Sequence, residues 1–183
     1  MADDVASDSV PRYRSAMDVS RALPFLLLLV SVPAAAAPRV AFAGGSWAAV
    51  DRGSSCVALS RSQRIAAKGM VQATAGFAFT PDRRRWGEFH AHLSRVPRAG
   101  ATVILNIGGQ PFLLVSRGDW AWSRGPLQEQ AIIAAARPAL GMNVESRDES
   151  GRRFVDPYLL DGAPTAIDAA AARCALRGAG KIQ

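Results

Sequence analysis

Residues 102–122, TVILNIGGQPFLLVSRGDWAW, decide the fold. Thr102 to Ile107 is apolar and β-branched, and Gly108-Gly109 stops it. Pro111 to Ser116 is a second apolar run, which Arg117-Gly118-Asp119 turns into Trp120-Ala121-Trp122. Short apolar runs cut by Gly and Pro turn chemistry read as antiparallel strands. Upstream, Glu88 to Arg95 alternates, with Phe89, Ala91 and Leu93 on one face and His90, His92 and Ser94 on the other. Met70 to Phe79 alternates more loosely and ends at Pro81-Asp82. Ser46 to Val50 and Cys56 to Ser60 flank the hairpin chemistry of Asp51 to Ser55. Downstream, Met142 to Ser146 and Arg153 to Leu160 flank the polar turn from Asp148 to Gly151.

Two segments carry helical spacing instead. Leu127 to Ala136 follows Gly125-Pro126 and is stopped by Pro138. A second helix is expected from Thr165, with Asp168 three residues on in a near capping box, and it runs to Cys174. The pattern predicts a mainly β, β-sandwich-like single domain with two short α-helices, one of them C-terminal.

What precedes this domain sets its compartment. Arg21 to Ala37, RALPFLLLLVSVPAAAA, has a basic residue, an apolar run and small residues suited to signal peptidase. Residues 1–22 read as a disordered extension, with Met17 the better start. Residues 23–43 are the hydrophobic and cleavage regions of the signal, and residues 44–183 the exported domain. Cleavage is expected after Ala34-Ala35-Ala36 or after Ala41-Phe42-Ala43. A membrane anchor would need about 20 apolar residues. The run from Ala22 to Ala37 is shorter and contains Pro24 and Pro33, so no stable anchor is expected after cleavage. The expected location is the periplasm or the extracellular space.

The chain carries 22 Lys and Arg against 15 Asp and Glu, a net charge of +7. Lys68 and Lys181 are its only lysines. An Arg-, Ala- and Gly-rich bias of this kind also arises from a GC-rich genome, so charge alone does not imply nucleic acid. The one dense cluster is Arg83-Arg84-Arg85, beside Trp86. It reads as a solvated turn or as a site for an anionic partner. Two cysteines, Cys56 and Cys174, are too far apart for a redox CxxC pair. In an exported chain they suggest one disulfide, with two separate buried thiols as the alternative.

Glu88, His90 and His92 point the same way on one strand and are the best metal candidates. Zinc takes three or four ligands, and the chain has no further histidine, so neither metal nor cofactor is expected. No Gly-x-Ser-x-Gly elbow or phosphate-binding glycine loop is present, and a triad would have to join a histidine to a distant serine such as Ser116. Arg117-Gly118-Asp119 is an integrin-type tripeptide and equally ordinary turn chemistry. Trp120 and Trp122 share one face. They are core residues or, with Arg83, Arg84, Arg85 and Trp86, a surface for sugar or peptide.

Gly45-Ser46-Trp47 with Cys56, then Phe154, Leu160-x-Gly162 and Thr165-Ala166-Ile167-Asp168-Ala169 leading to Cys174, resemble the invasion-associated locus B family of exported bacterial proteins. The resemblance implies a compact β-sandwich in the periplasm or at the cell surface, and its name records an association with host-cell entry. No catalytic residue carries over from it. The function expected is a non-enzymatic binding or envelope-interaction protein, whose partner is a protein or an anionic envelope component. The alternative is a periplasmic enzyme or enzyme inhibitor with a dispersed site near His90 and His92.

Overall fold

The computed structural model describes residues 37–180. The extension and the signal through Ala36 lie outside the described residues, as do residues 181–183. Ten strands form one antiparallel sheet. In chain order they are β1 (Arg39–Gly44), β2 (Trp47–Asp51), β3 (Cys56–Arg61), β4 (Thr74–Phe79), β5 (Trp86–His92), β6 (Val103–Ile107), β7 (Gln110–Arg117), β8 (Trp120–Trp122), β9 (Gly141–Arg147) and β10 (Arg153–Leu159). Helix α1 (Pro126–Ala136) follows β8, and α2 (Ala163–Ala179) closes the domain. The spatial order is β1-β2-β3-β4-β5-β8-β7-β6-β9-β10. No helix among the described residues is long and apolar enough to cross a membrane.

The sheet curls so that its last strand returns to its first hairpin. The Trp47 indole N–H donates to the Leu159 carbonyl at 2.8 Å. Ser46 N–H reaches Asp161 O at 3.0 Å, and Gln63 N–H reaches Pro157 O at 2.8 Å. Inside the curl Phe77, Phe89, Leu105, Val144 and Phe154 pack as one core, joined by Ile132 of α1 and Ile167 of α2. Ala163, Ala166 and Ala170 let α2 lie close on the sheet.

The sheet begins earlier than Gly44-Gly45. Strand β1 pairs with β2 from Arg39↔Asp51 to Gly44↔Trp47, so Ala41-Phe42-Ala43 lies in a strand. A register shift between Val40 and Phe42 breaks the alternation that would have announced it. Two expectations are corrected. The strand predicted from Met70 starts at Thr74, because Gln72 folds the preceding loop. Its carbonyl accepts from Ala66 N–H at 3.0 Å and its amide donates to Ser62 O at 3.2 Å. Helix α2 starts at Ala163, and Thr165 makes no cap. Gly162 is the N-cap, with φ +84° and no room for a side chain: a Cβ there would lie 2.2 Å from Gly44 O.

Cys56 and Cys174 form a disulfide with Cα atoms 5.7 Å apart. It fastens α2 to β3, and an ion cluster lies beside it. Asp51, the cross-strand partner of Cys56, accepts from Arg173 Nε at 2.9 Å, Arg177 Nη1 at 2.6 Å and Gly53 N–H at 2.9 Å. Burial would raise the Asp51 pKa, but these three donors outweigh it and hold the carboxyl below its ordinary value.

Candidate functional site

Alternation along β5 sends Phe89 and Ala91 into the core and Glu88, His90 and His92 onto the outer face. Neighbouring strands extend this face in cross-strand rows. One row runs Arg117, Trp120, His92, Thr74, Arg61, and the next runs Val115, Trp122, His90, Gly76, Leu59. The rows place three aromatic systems in sequence. His92 stacks on Trp120 with ring centroids 4.6 Å apart and planes 10° apart, and Trp120 lies 6.3 Å from Trp122 at 17°. Trp120 is 37% exposed, while Trp122 and both histidines are half-buried.

The turn Gly118-Asp119 positions this row. Asp119 Oδ2 lies 2.8 Å from His92 Nε2, and Asp119 O accepts from Leu93 N–H at 2.7 Å. The integrin-type tripeptide is therefore a hairpin turn whose carboxylate is committed to His92. That imidazole is oriented by an acid, as a general base would be. No serine, threonine or cysteine hydrogen-bonds to it among the described residues. Ser116 pairs with the inward-pointing Ala121, so alternation puts it on the opposite face from His92. The dyad holds the Trp120 ring instead.

His90 lies in a shallow trough of about 340 Å³ with Arg52, Val57, Ala78, Arg85, Glu88, Trp120 and Trp122. Gly76 makes room for its ring: a Cβ there would stand 3.1 Å from His90 Nε2. Burial, together with the charges of Arg52 and Arg85, pushes the His90 pKa down to about 4. The imidazole is neutral at pH 7. Glu88 is taken by Arg85 at 3.7 Å. Among the described residues no group of three or more His, Cys, Asp and Glu converges on a point where it would hold a metal.

The expected surface of Arg83, Arg84, Arg85, Trp86, Trp120 and Trp122 is divided in two. A register shift between Ala78 and Phe79 faces Gly87, whose φ is +89°. This bulge turns Trp86 toward the core side, where it meets Phe79 edge-on at 5.3 Å. Arg83 covers Trp86 at 4.8 Å, and both line the space between the helices with Arg84. Arg85 goes the other way, to the trough with Trp120 and Trp122.

Sequence reasoning missed Arg61, which joins the tryptophan face through strand register, and Arg52, which lines the trough from the turn between β2 and β3. Asp156 is mid-strand in β10 and fully buried, with Oδ2 accepting from Ser94 N–H at 3.0 Å. Its Oδ1, and the Tyr158 hydroxyl two residues on, have no partner among the described residues. Alternation along β10 was legible, but an acid at a core position runs against it. No family model, no curated protein and no solved structure matches the chain.

Proposed function

We propose that the protein is an exported, non-enzymatic binding module of the invasion-associated locus B type, and that its ligand is an acidic polysaccharide of the envelope. The observation that carries this reading is the row Arg117–Trp120–His92–Thr74–Arg61. It sets an exposed, immobilised indole between two exposed arginines. Indole faces suit the apolar faces of pyranose rings, and guanidinium groups bind carboxylates with fixed geometry. The Gly76 dip beside His90 gives the face relief rather than flatness. Against the acids Asp119 and Glu88 the face sets Arg52, Arg61, Arg85 and Arg117, which leaves it positive.

The test is calorimetric titration with polygalacturonate, against neutral dextran. The wild type is expected to bind the acidic polymer and not dextran. Trp120→Ala with Trp122→Ala is expected to weaken binding at least about tenfold, a loss of roughly 1.4 kcal/mol. Arg61→Gln with Arg117→Gln is expected to flatten the salt dependence. Equal affinity for the two polymers, or unchanged binding by the tryptophan variant, contradicts the reading.

Export is part of the same proposal. The signal-like stretch supports it, and the disulfide is compatible with it. Because β1 begins at Arg39, processing after Ala36 leaves the sheet whole, whereas processing after Ala43 removes β1. Intact mass of the exported protein is expected to place the mature N-terminus at Ala37. An N-terminus at Gly44 would remove β1 from the working domain, and an uncleaved chain would overturn the compartment.

A further inference from the structure

A second cleft lies on the other side of the sheet, and it is independent of the polysaccharide reading. Helices α1 and α2 both cover the inner face, and a space of about 660 Å³ separates them, within the range of small-molecule sites. The half-buried Trp86 of the sheet and Ile133 of α1 line it, over a floor formed by Phe79 and Ile167 of the buried core. Arg137, the C-cap of α1, bridges to Asp168 of α2 through a bidentate pair, at 2.7 and 3.2 Å.

The turn between β4 and β5 adds positive charge to this lining. The Thr80 hydroxyl donates to Asp82 Oδ1 at 2.5 Å and accepts from Arg85 N–H at 3.1 Å. Asp82 Oδ1 also accepts from Arg84 N–H at 3.1 Å. Helix α2 buttresses the turn, since a Cβ on Gly178 would stand 2.6 Å from Pro81 O. Within this frame Arg83 has φ +58°, the single positive φ among described residues other than glycine. Its guanidinium rests on Trp86, and it makes no ion pair among the described residues. Arg84 is 87% exposed and only 3.6 Å from Asp82. The two acids of the cleft are otherwise occupied, Asp168 with Arg137 and the buried Glu129 with the Ser123 hydroxyl at 3.1 Å. Apolar walls are thus combined with Arg83, which has no ion pair among the described residues, and Arg84, paired only with the exposed Asp82 at 3.6 Å.

We propose that this cleft binds an amphiphilic anion: an unbranched acyl or alkyl chain lying against Phe79, Trp86, Ile133 and Ile167, with its carboxylate or phosphate on Arg83 and Arg84. The arginines supply charge-assisted hydrogen bonds to the head group, and the sheet and helices exclude water from the chain.

The probes are dodecanoate, dodecyl phosphate and dodecanol, titrated calorimetrically into the exported protein, the anions below their micelle concentrations and dodecanol below its solubility limit. One or both anions are expected to bind, and which binds more tightly identifies the head group. Dodecanol is expected to bind at least about tenfold more weakly. Arg83→Gln with Arg84→Gln is expected to lower affinity for the anion by a similar factor. These side chains are exposed and leave the Thr80–Asp82 frame intact, and near-ultraviolet dichroism checks the fold. Ala134→Trp, at an exposed position on the α1 wall, is expected to block the cleft. Trp120→Ala with Trp122→Ala is expected to leave dodecanoate binding unchanged, so the two sites fail separately. Dodecanol binding as tightly as the anions, an undiminished arginine variant, or no binding by the wild type overturns the proposal.

Discussion

Replacing Cys56 and Cys174 together by alanine is expected to lower the unfolding free energy by about 3–5 kcal/mol. The bridge spans 118 residues, so in the chain-entropy account its loss frees most of the folded sequence. Domains of ordinary stability hold roughly 5–15 kcal/mol, and the loss removes a large part of that. Alanine is the informative replacement because both cysteines are buried, Cys56 at 1% and Cys174 at 0% exposure. Serine would add a buried hydroxyl without an assured partner and confound the measurement. The variant is still expected to fold, since Arg173 and Arg177 continue to hold Asp51 from the same helix. Urea denaturation of the wild type and the variant, both without reductant, reads the difference. A midpoint that does not move would mean that the sheet and core, rather than the bridge, set the stability of α2.

Between pH 7.5 and pH 4.5 the wild type is expected to lose about 2–3 kcal/mol more stability than His90→Gln. In the folded protein His90 sits near pKa 4, below the value of about 6.5 in an unfolded chain. The unfolded chain therefore takes up the proton first as pH falls. Stability from this residue is fully present above about 6.5, declines as pH drops, and is gone below about 4. Glu129 and Asp156 act in the opposite sense, since burial raises the pKa of both carboxyls. The quantity to compare is thus the difference between wild type and variant, not the wild-type profile alone. Glutamine keeps a polar side chain over Gly76 without titrating. Parallel pH profiles for the two proteins would contradict a neutral, half-buried imidazole in the trough.

Much of the sheet was legible because its strands obey period-two alternation. Phe89 and Ala91 point inward and His90 and His92 outward as the sequence pattern requires. The pairing of Arg117 with Trp120 follows from a two-residue turn at Gly118-Asp119. What escaped the sequence came from interactions that cross the chain. Strand β1 was hidden by its register shift and by small residues that also suit a protease. Gln72 ended a strand early by satisfying loop backbone from a side chain. The division of the arginine cluster could not be read locally. Arg83, Arg84 and Arg85 are consecutive, yet the bulge at Gly87 sends Trp86 to the helix side while Arg85 stays with Trp120. A surface inferred from sequence proximity is thus divided between two faces of the sheet with different surroundings.

The most direct test of the binding-module account reads the indole N–H signals of the ¹⁵N-labelled exported protein during titration with polygalacturonate. The four tryptophans serve as reporters on different surfaces. Trp120 and Trp122 are expected to shift progressively. Trp47, whose indole donates to Leu159 O, and Trp86, beneath Arg83, are expected to stay in place. Stationary signals from Trp120 and Trp122 at saturating polymer, or movement of Trp86 alone, would contradict the assignment of the outer sheet face as the polysaccharide site.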